Sequence, residues 1–238
     1  MVRQHLGHHR HPITMTAPLV LLNSAQAVLL DFDGPIAELM PPPVNSEAAT
    51  AARQILAGIE LPYEIETSTD HLAVLRWARI AMTAFSLGSK RHAPAEVQAA
   101  EVCAASVHAA AFMEFGHSRD LPLAIVSNNS SDAVRTALAR WHWLDRIAAF
   151  ACRTPDAIDW MKPSPRLLLL AADVLHVNIS RTVFVEDAVS DVVAAKAAGA
   201  PLIGLAKSEA RANELGEAGA DLVADLRDGS ALGLGGLG

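Results

Sequence analysis

From residue 27 onward, short apolar runs alternate with helical patterns. Six runs, at residues 27–32, 122–127, 147–152, 182–186, 201–205 and 221–223, are apolar at consecutive positions rather than at every second one. That pattern belongs to strands covered by helices on both faces, whereas a half-solvated antiparallel sheet alternates polar and apolar residues. Residues 131–141, 165–176, 189–198 and 208–216 repeat apolar positions at helical spacing. Suitable caps precede the first two: Ser130, Ser131 and Asp132, then Ser164 with Pro165. Strand and helix in alternation predict an α/β fold with a parallel sheet.

The gap between the first two runs is different. Residues 39–116 hold no strand-like run and read as Ala-rich helices at about 46–58, 70–87 and 94–116. Pro41, Pro42 and Pro43 open this insert as a stiff, extended linker and Gly116 closes it, which places its hinges there. The expected division is a disordered leader (1–18), a core (19–38 and 117–227), a helical cap (39–116) and a flexible tail (228–238). The four histidines of the leader lack any periodicity to fix them in space, and an upstream start ahead of Met15 is the other reading of that segment. The ending GSALGLGGLG has too little side chain to pack.

Composition narrows the function classes. With 238 residues, 51% of them hydrophobic, the chain is no disordered polymer. Its 26 acidic against 19 basic residues leave a charge of −7, without the basic footprint that follows a phosphate backbone, so nucleic acid is not an expected partner. Cys103 and Cys152 form no disulfide framework and match no zinc spacing; both read as small buried hydrophobes, and reducing cytoplasm is the expected compartment. Asp31 and Asp33 interrupt the most apolar stretch, so no membrane span is expected. Arg3, Arg10 and Ala25-Gln26-Ala27 imitate a secretion signal, but Pro18 and Asn23 break its apolar patch and cleavage would truncate the first strand.

In an open α/β sheet, ligands bind outside the carboxyl ends of the strands. There the sequence places Asp31-Phe32-Asp33-Gly34, Ser127-Asn128-Asn129 and Glu186-Asp187, with Asp191 four residues on and Lys162-Pro163 ahead of a helix. Carboxylates, a hydroxyl and a lysine converging at one sheet edge describe a site for a divalent cation and an anion. Asp31 and Asp33 are two apart at a strand end, where Gly34 permits a tight turn, so both carboxylates can face one pocket. Crowded without a metal, one of them would be pushed up sharply in pKa; with Mg²⁺, Asp31 stays ionised as a nucleophile for phosphorus. Asp33 is then placed to protonate the leaving oxygen and later take a proton from water. Lys162 and Ser127 would hold phosphoryl oxygens, helped by free N–H groups after the strands.

In order, the segments VLLDFDGPIAEL, IVSNNS, KPSPRLLLLAADVL and VFVEDAVSDVVAAKAAGAPLIG resemble the four motifs of the haloacid dehalogenase-like hydrolases, over residues 27 to about 205. The resemblance implies a Rossmann-like core with an inserted all-helical cap, similar to the phosphoglycolate phosphatase and β-phosphoglucomutase branch. It implies Asp31 as nucleophile and Mg²⁺ ligand, and Asp33 as acid/base that gives the metal its backbone carbonyl. Ser127, Asn128, Lys162 and the amides of Phe32 and Asp33 would bind phosphate. Asp187 and Glu186 would complete the metal site, and Asp191 would orient Lys162 or bound water. Pro35 stands where Thr or Val usually follows the first motif, which predicts altered stiffness rather than lost chemistry.

Singly, each residue has a plain structural explanation: a turn at Asp33-Gly34, a helix cap at Ser127 and Asn128, a solvated Lys162, a dipole-favoured acid at Asp191. The ordered set carries the reading. In the insert, Arg53, Arg76, Arg79, Lys90 and Arg91 are candidates to read a second anionic group on the substrate, above all Arg76 and Arg79, which share a helix face with Trp77 turned away. Trp160 and Met161 either line the entrance or pack on the core. The expected function is a Mg²⁺-dependent phosphatase for a small phosphorylated metabolite, as a monomer or homodimer. Its rivals are a sugar phosphomutase, a metal-free dehalogenase, disfavoured by the presence of Asp33, and a catalytically silent binding protein.

Overall fold

A computed structural model describes residues 16–54, 56–81, 95–228 and 231–234. Strands β1 (Ala27–Leu30), β4 (Leu123–Ser130), β5 (Ala149–Arg153), β6 (Thr182–Glu186), β7 (Leu202–Ala206) and β8 (Leu222–Asp225) form one parallel sheet in the order β5-β4-β1-β6-β7-β8. Every residue of β1, β4, β6 and β7 is buried, which is why their runs lack alternation. Successive side chains still point to opposite faces. Val28 and Leu30 of β1 pack with Phe112 and Phe115 of α6 (Ala109–Ser118) and Val134 and Leu138 of α7 (Ser131–Arg140). Leu29 enters the opposite core with Leu168 of α8 (Arg166–Val174), Val192 of α9 (Val189–Ala198) and Leu215 of α10 (Glu209–Ala218). Among the described residues no helix is long and apolar enough to cross a membrane.

Between β1 and β4 lies the helical insert, with α2 (Val44–Gln54), α3 (Tyr63–Glu66), α4 (His71–Ala81) and α5, whose described part spans 95–102. It has a small core of its own, Ala52, Leu56, Val74, Leu75 and Ala78, onto which Ile158 and Met161 of the sheet domain dock. The chain enters and leaves the insert through two short strands, β2 (Ala37–Glu38) and β3 (Ala104–Ala105), paired antiparallel.

Four expectations change. The helix read over 94–116 is interrupted by β3, because residues 104–105 pair with β2 instead of continuing the spiral. Gly116 is not a hinge but an interior residue of α6: a Cβ there would lie 2.7 Å from Leu123 Cγ, so glycine lets the helix approach the strand. Residues 17 and 18, assigned to the leader, begin helix α1 (Ala17–Ser24), with Thr16 accepting a hydrogen bond from the Leu19 amide. Within the tail, Leu232 and Leu234 are buried in the same core as Leu19 and Leu22, so residues 231–234 pack through their two leucines. The leader's histidines, Lys90 and Arg91 lie outside the described residues.

Candidate active site

The chain leaves β1 toward its neighbour β4 and leaves the adjacent β6 toward β7, so these two connections run in opposite directions and open a crevice at the carboxyl ends of the central strands. A cavity of about 180 Å³ lies there. Asp31 is the first residue beyond β1, anchored by its N–H donating to the Val185 carbonyl at 2.9 Å. Lys162, 1% exposed, reaches it from the segment before α8, with Nζ 2.6 Å from Asp31 Oδ1, 2.5 Å from Asp191 Oδ2 and 3.2 Å from the Val126 carbonyl. Three acceptors use the three donors of the ammonium. Burial by itself disfavours that charge, but Asp191 and Asp31 outweigh it and hold Lys162 well above the ordinary lysine range.

Ser127 and Asn128 come from the end of β4, where the pairing register with β5 shifts between Ser127 and Ser130. The bulge carries the strand three residues past its predicted end and re-aims the side chains. Ser127 Oγ accepts from the Asn129 amide at 3.2 Å and donates to Asn129 Oδ1 at 3.0 Å. Asn129 Nδ2 is buried, lines the cavity, and has no acceptor among the described residues. Asn128 clasps the lysine backbone at two points, accepting from Lys162 N at 2.7 Å and donating to its carbonyl at 3.1 Å.

Asp33 and Asp187 occupy the other wall. Asp33 Oδ1 accepts the Leu39 amide at 2.9 Å. The turn that follows is closed by the amides of Gly34, Ile36 and Ala37, so Pro35 removes no hydrogen bond that the turn uses. Gly34 has φ +115°, and a Cβ on it would fall 2.1 Å from Asp187 Oδ2; the carboxylate rests directly on the glycine. Burial, then the charge of Asp191, pushes Asp187 up to about 6. Burial likewise raises Asp31, with Lys162 opposing and Asp191 and Asp187 adding, and raises Asp33 against the Leu39 and Met40 amides. So many acids held above their ordinary range mark a place short of positive charge.

Among the described residues no three His, Cys, Asp or Glu side chains form a ready metal cage. Mg²⁺ does not need one, since it keeps several waters and commonly takes one or two carboxylates. Asp31 and Asp187, with Asp33 on the same lining, offer only oxygen donors, which suit such a hard cation, and the raised acids are those it would relieve.

The structure therefore brings Asp31, Asp33, Ser127, Asn128, Lys162, Asp187, Asp191 and Arg76 around one cavity. Arg76 Nη1 donates to the Lys162 carbonyl at 2.9 Å and Nη2 reaches Asp70 at 3.4 Å. Other candidates lie elsewhere. Arg79 is exposed and absent from the lining, and Arg53 is bound within the insert to the Ile65 and Ser68 carbonyls. Phe32 turns its ring into the core beside Trp141, leaving only its backbone near the site. Glu186 does not line the cavity: Oε2 accepts the Ala188 amide at 2.7 Å, Oε1 has no donor among the described residues, and burial followed by Asp191 pushes it up to about 9. Met161 packs in the small core beneath the insert, and Trp160 sits against the sheet core under the Arg166 guanidinium.

Sequence reasoning placed Asn129 at the strand end without giving it a role, and passed over Asp70, Leu72 and Ser190 in the lining and three charged or polar groups behind it, His71, Glu96 and Arg153. A signal existed for two of these. Glu96 shares a helix face with Ala99, Ala100 and Cys103, and His71 with Val74, Leu75 and Ala78, each a polar residue on an otherwise apolar stripe.

Comparison with known proteins agrees with this architecture. A family model for haloacid dehalogenase-like hydrolases matches residues 25–199. Phosphoglycolate phosphatase of Neisseria meningitidis is 32% identical over 88 residues, a stretch that spans 37% of each protein. The crystal structure of CbbY from Rhodobacter sphaeroides in complex with phosphate superposes with a TM-score of 0.64 at 21% identity, covering 84% of this chain and 93% of that one. A putative β-phosphoglucomutase from Thermotoga maritima gives 0.59 at 23% identity, covering 87% and 96%. With a match across most of its length and the motif residues gathered at the sheet's switch point, the chain belongs to the haloacid dehalogenase-like hydrolases.

Proposed function

We propose that the chain is a Mg²⁺-dependent cytoplasmic phosphatase that hydrolyses the phosphate monoester of a small metabolite through an aspartyl-phosphate on Asp31. The observation that carries this reading is the Asp31 carboxylate, held 2.6 Å from a buried lysine at the floor of a polar cavity shared with Asp33, Asp187 and Ser127. The local similarity to a phosphoglycolate phosphatase supports the same chemistry. Asp31, Asp187 and the Asp33 carbonyl would hold the Mg²⁺, which when bound would supply positive charge to offset the crowded acids and the phosphoryl oxygens.

An Asp31 oxygen forms a bond to phosphorus as the bond to the alcohol oxygen breaks. Asp33, whose burial favours the protonated form, gives its proton to the departing alkoxide. The resulting carboxylate takes a proton from the water that cleaves the acyl phosphate and regenerates Asp31. Asn129 Nδ2, buried on the cavity lining with no acceptor among the described residues, presents a donor fixed before the substrate arrives. Lys162 and Ser127, whose donors are held by Asp31 and Asn129, turn one hydrogen bond each to the phosphoryl oxygens when these enter. Closure of the insert excludes bulk water, with Asp70, Leu72 and Arg76 forming its contribution to the wall.

Phosphate release from a panel of sugar phosphates, phosphoglycolate, nucleoside monophosphates and polyol phosphates tests the proposal. Turnover is expected to stop with EDTA, return with Mg²⁺, and be abolished in Asp31→Asn. Near-wild-type turnover in Asp31→Asn would falsify the covalent mechanism. Formation of an isomeric phosphate without release would assign the chain to the phosphomutases, and inactivity across the whole panel would favour a binding protein.

A further inference from the structure

Behind the cavity lies a buried ionic cluster that the mechanism above does not use. Glu96, on α5 of the insert, is fully buried and crosses to the sheet domain, where Oε2 accepts the Ser130 amide at 2.8 Å and Oε1 pairs with Arg153 Nη2. His71 Nε2, at the start of α4, lies 3.2 Å from the same Oε1. Arg153 sits at the end of β5, is 3% exposed, and donates through Nε to the Asn128 carbonyl at 2.8 Å. Asn128 in turn holds the Lys162 backbone at two points. An unbroken chain of hydrogen bonds thus runs from α4 and α5 of the insert to the lysine that faces Asp31.

A second contact runs in parallel, since Arg76 of α4 donates directly to the Lys162 carbonyl. The insert therefore meets the lysine segment by two routes, and neither contact exists unless the insert is seated. Glu96 lies eight residues before β3, so along a helix it stands about 12 Å from the paired strands through which the insert joins the core. A charge buried at that distance from the pivot must find its partner on seating, because leaving it in an apolar interface unpaired is strongly unfavourable.

We propose that Glu96 is a positioning residue: it latches the seated insert onto Arg153 and the Ser130 amide, and through Arg153 and Asn128 sets the Ser127–Asn129 segment and Lys162 for the phosphoryl group. The inference rests on the phosphatase reading for its kinetic readout but not for its structural one. A latch of this kind makes phosphate affinity depend on a residue that never touches phosphate. It also makes Glu96 and Arg153 act as one unit, so that removing both costs phosphate binding no more than removing either.

The test uses the full-length chain, with p-nitrophenyl phosphate as substrate and inorganic phosphate as competing ligand. Glu96→Gln keeps the shape and an acceptor for Ser130 but removes the charge; Arg153→Met removes the link to Asn128. Each is expected to raise KM and the phosphate inhibition constant at least tenfold, with a smaller change in kcat, and the double variant is expected to match the singles. The double variant also guards against a fold lost through one stranded charge. KM and inhibition constants within twofold of wild type, with only the unfolding midpoint lowered, overturn the proposal, as do effects that multiply in the double variant. Should the wild-type chain hydrolyse no phosphate ester, the phosphatase reading falls and hydrogen exchange decides the latch. Protection lost together at 71–81 and 127–130 in Glu96→Gln supports it, and loss confined to 95–102 overturns it.

Discussion

Lys162 is a buried cation whose three acceptors come from the residue after β1, from β4 and from α9, and in the proposed reaction it is the charge that faces the phosphoryl group. Its geometry is over-determined: the ammonium bridges two carboxylates while Asn128 fixes the backbone beneath it. Lys162→Met is expected to lower kcat/KM by about 10²- to 10³-fold, roughly 3 to 4 kcal/mol of transition-state stabilisation, as for other preorganised donors. Initial rates normalised to folded protein by circular dichroism check this, because the same change leaves Asp31 and Asp191 facing each other without a counter-charge. A loss below tenfold would mean that the lysine is a structural pair for Asp191 and not a phosphoryl ligand. The motif order made Asp31, Asp33, Ser127, Lys162 and Asp187 legible from the text alone. Which way each side chain points was not, as Glu186 and Phe32 show: both stand beside the site and turn their side chains away from it.

At the level of elements, runs of apolar residues were sufficient to find every strand of the parallel sheet among the described residues; in β1, β4, β6 and β7 burial on both faces leaves no other pattern. Two-residue pairings leave no such trace. β2 and β3 are defined by each other, across more than sixty residues of chain, and neither carries a composition that marks a strand. The reading of Gly116 failed for a related reason: a glycine that ends a helix and a glycine that lets a helix approach a strand look alike in one dimension. The difference is measurable. Gly116→Val pushes side chain into the space held by Leu123, and should destabilise the fold by about 1 to 3 kcal/mol in urea unfolding. Normal stability with altered kcat would instead restore the hinge assignment.

For the molecule as a whole, the contact between insert and core includes buried charge as well as apolar surface. Burial raises the Glu96 carboxyl, but the hydrogen bond from His71 and the charge of Arg153 outweigh it and bring the group from 4.5 down to about 2. A difference of that size corresponds to about 3 kcal/mol of stability. Because the folded value lies below the ordinary one, this contribution is complete above about pH 4.5 and fades as the pH falls toward 2. The stability gap between wild type and Glu96→Gln should therefore narrow across that window in pH-dependent unfolding. A gap that stays constant from pH 6 to pH 3 would show that the carboxylate is not preferentially ionised in the fold.

The sequence by itself determined the fold class, the insertion of helices between the first two strands, and the identity of the residues at the strand ends. Those features follow from local periodicity and from short motifs in a fixed order, which a one-dimensional reading can detect. Tertiary structure alone decided how the two crossings pair, how the leader's last residues and the tail's leucines pack together, and that Arg76 rather than Arg79 reaches the site. It alone showed Glu96 to be a charged bridge between insert and core. Each of these depends on a contact between segments distant in the chain, whose energy exists only once both partners have been brought out of water to the same place.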